Sequence, residues 1–488
     1  MAYRFNHRLP IDDRPLDTRL PIKLDSTSNG EFLPIPLNER EHRANRLALE
    51  KADCAARKTG RSRRDFLASS CGVATTLLAF NQAHAFSTGT ASTFEVPEEA
   101  AFDPELAASK LQGKEFIFDI QGHYLPPDLA RTLKPKCKAE FDPLSPDYMA
   151  CLGADDFIKD VFLDSDTDLM ALSFIPSAQA DEPLTIEEAA KTRDMVEQLQ
   201  GSQRLLLHGR CNPNQPGDLE LMDELAGKWH VAAFKCYTQY GPNGKGFFLS
   251  DEDTGIPYIE KARKLGVNNI CVHKGFPFGE ESYEHSLCDD IGKVAKRFPD
   301  VNFMVYHSGY VPGQAEGPYD PNRNEGVDSL IRSVIANDVA PNSNVYAELG
   351  STWRFASMRD PQSAAHILGK LFHYIGQDNV LWGTDSVWYG SPQDQIQAFR
   401  VFQIPEQLRE EHGYVKITPD LRAKVFGLNA IVPYRINVDE VLHSASSDAL
   451  SRSRADYLGR AQPHFATYGP KTRREFFRLL QLNGGRVS

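Results

Sequence analysis

From residue 115 onward one pattern recurs eight times: a short apolar run, then a stretch with helical spacing and a charged outer face. The runs are FIFDIQ (116–121), LMALSFI (169–175), RLLLHG (204–209), VAAFKCY (231–237), NICVHKG (269–275), VNFMVYH (301–307), NVYAELG (344–350) and NVLWGTD (379–385). Between them lie pieces such as TIEEAAKTRDMVEQLQ (185–200) and YIEKARKLGV (258–267), whose apolar residues fall on one helical face. Near-continuous apolar strands alternating with helices indicate a parallel sheet covered on its outer face. Eight such units over about 320 residues are the content of a (β/α)8 TIM barrel, so the fold class is α/β. An open doubly wound sheet is the rival, but no GxGxxG follows the first strand.

A barrel of this kind places its chemistry at the carboxyl ends of its strands. Polar residues gather there: Asp119, Gln121 and His123 on the first, His208 and Arg210 on the third, Lys235 on the fourth. His273 ends the fifth, His307 the sixth, Glu348 the seventh and Asp385 the eighth. One strand-end histidine alone reads as a hydrogen-bonded structural residue. A series of imidazoles and carboxylates aimed at one mouth is what a catalytic divalent ion needs. The Gly/Pro/Asn-rich segments after the fourth and sixth strands are long enough to be functional lids.

The flanks read differently. Residues 1–60 have little apolar periodicity and are expected to be a disordered arm. Residues 61–85 follow with Arg63-Arg64, an apolar run from Cys71 to Phe80 and a closing AHA, the order of a twin-arginine signal peptide. That implies export to a periplasm. Residues 1–85 hold 14 Lys+Arg against 10 Asp+Glu, whereas the remainder holds 40 against 56. An acidic body, and a net charge of −12 for the whole chain, speak against a nucleic-acid binder. No later apolar run is long enough for a stable membrane span. The eight cysteines show no CxxC spacing, which argues against a zinc ribbon or redox pair. The expected organisation is a linker at 86–114, a barrel at 115–437 with an insertion at 126–168, and a C-terminal helical extension at 438–488.

Several of these pieces together resemble the amidohydrolase superfamily, in the branch that includes aminocarboxymuconate-semialdehyde decarboxylase and related lactonases. They are FDIQGHYLPP, VHKG, RFPDVNFMVYHSGY, NVYAELG, NVLWGTDSVWYGSP and KVFGLNAIVPYRI, in that order. The resemblance covers residues 115–437, about two-thirds of the chain. It implies a metal-dependent hydrolase barrel with metal ligands at Gln121, His123, His273 and Asp385. His307 and Asp385 take the catalytic roles, positioning a water and moving its proton. Lys235 falls where binuclear members carry a carboxylated bridging lysine and mononuclear relatives a substrate-side cation, the reading favoured here. With Arg210 it is a candidate anchor for a substrate carboxylate.

The implied cofactor is a divalent ion, zinc first, with manganese or iron as alternatives. The departure is Gln121, which stands where the family has histidine, and an amide oxygen is a weaker donor to zinc-like ions than imidazole. Three outcomes stay open: hydrolysis of a small amide or lactone, non-oxidative decarboxylation, or a metal-free barrel used for binding. The partner is a small-molecule substrate, and the family also implies a homodimer.

Overall fold

The computed structural model describes residues 19–88, 93–124, 153–200, 203–277, 283–447, 451–452, 454–455 and 465–482. Each of the eight apolar runs contains a strand. They are β1 (Phe118–Gly122), β2 (Leu169–Leu172), β3 (Leu205–Arg210), β4 (Ala233–Tyr237), β5 (Asn269–His273), β6 (Asn302–Tyr306), β7 (Val345–Glu348) and β8 (Val380–Leu381). All neighbours pair in parallel and in sequence order. The ring closes where Ile120 N–H donates to Trp382 O (3.1 Å) and Asp385 N–H to Gln121 O (2.9 Å). A (β/α)8 barrel is therefore the fold.

Two apolar layers follow from the period of two along each strand. One set fills the barrel, among it Phe118, Ile120, Leu169, Leu206, Met304 and Leu381, with Tyr434 packed beneath. The other set, including Leu172, Leu207, Phe234, Ile270 and Val305, packs outward under the helices. The register of β1 shifts between Asp119 and Gly122. This bulge breaks the simple alternation, so Ile120 joins the inner layer while Gln121 and His123 reach the mouth.

The expectation of a disordered arm fails for residues 19–60. Helix α1 (Glu39–Thr59) starts at a reciprocal Asn38–Glu41 cap and stops at Gly60, which sits at φ 68°. Its buried face is built from Ala44, Ala48, Ala52, Ala55 and Ala56. Alanine carries little hydropathy but lets helix axes approach closely, which is why a search for apolar periodicity passes over it. The partner is the apolar run itself. Residues expected as an export signal form α2 (Arg63–Leu67) and α3 (Ser70–Thr88), with α3 laid along α1. Phe66, Leu77 and Phe80 are fully buried, and Arg63 pairs with Asp53 (Nη2–Oδ2 2.7 Å).

Residues 19–38, ahead of α1, cross the barrel mouth in irregular conformation and are buried through most of their length. Lys23 pairs with Asp394 (3.2 Å), Arg354 holds Lys23 O (2.9 Å) and Asp25 (2.6 Å), and Thr27 bonds Thr467 (2.8 Å). Of the expected insertion at 126–168, residues 126–152 lie outside the described residues, and the remainder is a helical turn, 154–163. The C-terminal extension contributes helices Val438–Ser447 and Arg473–Leu482, and residues 465–471 pack on the N-terminal segment. No described helix is long and apolar enough to cross a membrane. Cys211, Cys236, Cys271 and Cys288 are free and buried.

Candidate active site

Backbone strain marks the mouth. Phe276, His307, Ser308, Ser351 and Asp385, all just past the ends of β5 to β8, have positive φ between 36° and 62°. Non-glycine residues hold this conformation at a cost of about 1–3 kcal/mol each, and such costs collect at functional sites. Glu348 supports the strained turns: its carboxylate accepts from His307 N–H (2.9 Å) and Gly350 N–H (2.5 Å). A Cβ at Gly350 would lie 2.1 Å from Gln121 Oε1 and 2.5 Å from Glu348 Oε1, so any larger residue would displace these side chains. Burial pushes the Glu348 carboxyl up to about 8. Asp119 ties β1 to the turn after β8 by accepting from Thr384 N–H (3.1 Å) and Gln121 N–H (3.0 Å). Burial raises its carboxyl to about 7.

Three imidazoles each bond a backbone carbonyl through one nitrogen and turn the other inward. His123 Nδ1 meets Ser173 O at 3.1 Å, His307 Nδ1 meets Gly350 O at 2.7 Å, and His273 Nε2 meets Phe276 O at 3.4 Å. A carbonyl accepts only, so those nitrogens carry a proton; the inward nitrogens present lone pairs when the rings are neutral, and His123 donates to Asp385 when its ring is charged. This outer contact is how metal-binding histidines are oriented. Inside, His123 Nε2 lies 3.2 Å from Asp385 Oδ1, and the His273 and His307 rings stand 4.5 Å apart. Burial lowers both of those histidines, His307 to about 4. Burial alone would raise the Asp385 carboxyl, but hydrogen bonding and charge from His123, with His307 and Ser351, hold it below the usual range.

Gln121 sits at the centre. Its Nε2 is 3.5 Å from both His123 Nε2 and His307 Nε2 and donates to Asp385 Oδ1 (3.1 Å). Its Oε1 is buried with no hydrogen-bond partner. A half-turn of the amide exchanges the two atoms and puts the oxygen among the imidazole lone pairs. An orphaned amide oxygen, three oriented imidazoles and an anionic carboxylate fit a divalent cation. Gln121→His is expected to tighten metal binding by about tenfold, or about 1.4 kcal/mol. Competition with a chromogenic chelator measures this, and weaker binding by the variant would remove Gln121 from the site.

Gln121, His123, His307 and Asp385 thus meet in one cluster with His273 beside His307, each at most 3% exposed. Lys235 lies beside them. Its ammonium has no hydrogen-bond partner and stands 3.5 Å from the centroid of the Tyr306 ring, and burial lowers it to about 8. Arg210 does not join. It is committed to Asp218 (2.6 and 3.1 Å) and Glu182, although a cavity of about 10 Å³, room for one water, separates it from His123. His208 lies deeper in the barrel, bonded to Tyr434 (2.9 Å).

Sequence reasoning missed three residues. Ser351 donates to Asp385 Oδ2 and bonds Tyr389 (2.7 Å). Asn29 donates to the same Asp385 oxygen (2.9 Å) and to Glu31 (2.6 Å). Glu31 Oε1 lies 3.6 Å from His273 Nδ1. Ser351 follows the end of β7 and was within reach of the strand-end rule. Asn29 and Glu31 carried no sequence signal.

A family model described as amidohydrolase matches residues 119–436. No curated protein matches the chain. Among solved structures it is similar to an uncharacterised TIM-barrel protein from Bordetella bronchiseptica (12% identity, 68% of this chain and 99% of that one, TM-score 0.42). It is also similar to a 2,6-dihydroxybenzoate decarboxylase from Rhizobium (12%, 66% and 99%, TM-score 0.40). A third is a Pseudomonas putida protein with the provisional description 2-pyrone-4,6-dicarboxylic acid hydrolase (13%, 66% and 98%, TM-score 0.39).

Proposed function

Because the chain belongs to the amidohydrolase family, we propose that it is a divalent-metal-dependent hydrolase of a small amide or lactone. What supports this is a buried cluster in which Gln121 Nε2 lies within 3.5 Å of His123, His307 and Asp385, with the His273 ring beside that of His307. His123, His273, Asp385 and Gln121 would hold the ion. When bound, it supplies a Lewis acid for a substrate carbonyl and makes water a better nucleophile at neutral pH. Asp385 keeps a second oxygen, fixed by Ser351 and Asn29, and His307 keeps its inward lone pair. These two groups are placed to orient a water and take its proton.

Metal content of protein purified without chelators tests the reading. One ion per chain supports it, and less than about 0.1, where a catalytic site holds one, would overturn it. Turnover of a panel of lactones and amides then identifies the bond cleaved.

A second reading, non-oxidative decarboxylation of a small carboxylic acid, is favoured by Lys235. A buried ammonium over an aromatic face without a hydrogen-bond partner is matched by a substrate carboxylate. Release of carbon dioxide from aromatic or muconate-like acids separates the two reactions. Under either, Lys235→Met is expected to weaken binding of a carboxylate ligand by about 1.5–3 kcal/mol. The wild-type affinity should also fall as pH rises through about 8, where the lowered lysine loses its proton. A solvated lysine would hold its charge to about pH 10, so constant affinity between pH 7 and 9.5 would exclude Lys235 as the anchor.

A further inference from the structure

The barrel's own ligand candidates leave Glu31 unexplained. It belongs to none of the eight strand ends, yet it is 6% exposed and faces the same cluster. The anchors of Lys23, Asp25 and Thr27 on one side of it are matched by Phe32 on the other, whose ring packs edge-on against Phe276 (5.4 Å) and Phe355 (5.1 Å). Between them Asn29 bridges two carboxylates, donating to Asp385 Oδ2 (2.9 Å) and Glu31 Oε2 (2.6 Å). The other Glu31 oxygen points at the imidazoles. One carboxylate oxygen of Glu31 and one nitrogen each of His273 and His307 lie within 4.8 Å of one another. Burying a carboxylate beside a second one is costly unless a cation compensates both.

We propose that Glu31 is a ligand of the divalent ion, delivered to the barrel mouth by the N-terminal segment, and that Asn29 sets its position relative to Asp385. This rests on the metal-dependent reading above. It assigns a role to an acidic group facing the imidazoles that the barrel strands do not provide. It also changes the donor set. Glu31, Asp385 and the Gln121 amide contribute oxygen where the family pattern has a further imidazole, and oxygen-rich sets favour manganese or iron over zinc. A chain cut after Ala85 would lose this ligand along with the segment.

The test is equilibrium dialysis of the chelator-stripped full chain against Mn²⁺, with thermal melts of the metal-free proteins alongside. Glu31→Gln preserves size and the oxygen that accepts from Asn29, so its metal-free melting temperature should match or exceed the wild type. Its Mn²⁺ affinity should fall about 10- to 100-fold, with a smaller loss for Zn²⁺. Asn29→Ala, which leaves both carboxylates in place, should lose about tenfold and serves if Glu31→Gln does not fold. Unchanged or tighter Mn²⁺ binding by Glu31→Gln overturns the assignment, the tighter result marking Glu31 as a plug. Asp385→Asn distinguishes the two levels. Mn²⁺ lost in Asp385→Asn but kept in Glu31→Gln removes Glu31 alone, whereas Mn²⁺ kept in both removes the metal site.

Discussion

Asp385→Ala is expected to abolish metal retention and turnover together, with affinity falling by more than about 100-fold. Asp385 is the carboxylate that the surrounding histidines hold anionic, and its Oδ1 lies within reach of both His123 and Gln121. Removing it takes away the charge that compensates a cation and one of the oxygen donors. Alanine also strains the fold, because this residue sits at φ 57°, where aspartate and asparagine are tolerated better. Asn29 keeps Glu31, Ser351 keeps Tyr389 and Gln121 Nε2 keeps its contacts with His123 and His307, so the loss falls on the cation. Asp385→Asn avoids the strain and isolates the charge. Metal per chain by elemental analysis, with melting curves alongside, reads both effects. One tightly held ion in Asp385→Ala would refute the ligand assignment.

The second large effect lies away from the chemistry. Lys370, on the helix Pro361–Tyr374, is fully buried and donates to Glu316 (2.7 Å) and Asp328 (2.6 Å), themselves buried. Glu316 belongs to the long segment after β6 and also accepts from Val327 N–H (3.0 Å). One ammonium thus neutralises two carboxylates and ties that segment to the barrel wall. Lys370→Met leaves both charges in a dry interior with Arg323 (3.4 Å from Glu316) as the nearest compensation. Breaking a buried pair costs about 3–5 kcal/mol, and the urea midpoint should drop accordingly. A change under about 1 kcal/mol would mean that the carboxylates take up protons at little cost.

How much of this was legible depended on where the information resides. The barrel was readable because strand and helix periods alternate eight times, and because strand ends converge by topology alone. His123, His273, His307 and Asp385 followed from that convergence. The same rule also drew in Arg210, but it does not see Asp218, eight residues on, which pairs with the guanidinium. The order in residues 19–60 escaped the sequence for a different reason. Helix α1 buries alanines, which carry almost no hydropathic signal, and residues 19–38 are held by ion pairs and hydrogen bonds to positions more than 300 residues away. Asn29 and Glu31 gain their meaning only from Asp385 and His273.

Those long separations also set an order of assembly. Thr27 bonds Thr467 across 440 positions, and Ser28 N–H donates to Pro470 O. The segment that covers the mouth is synthesised first, yet its last contacts are made with residues synthesised almost at the end. Contacts so distant in sequence are slow to form, because the loop they close must be ordered first. The eight strands can therefore gather their imidazoles while the mouth is still open to solvent. Closure of the mouth thus depends on contacts that the chain makes last.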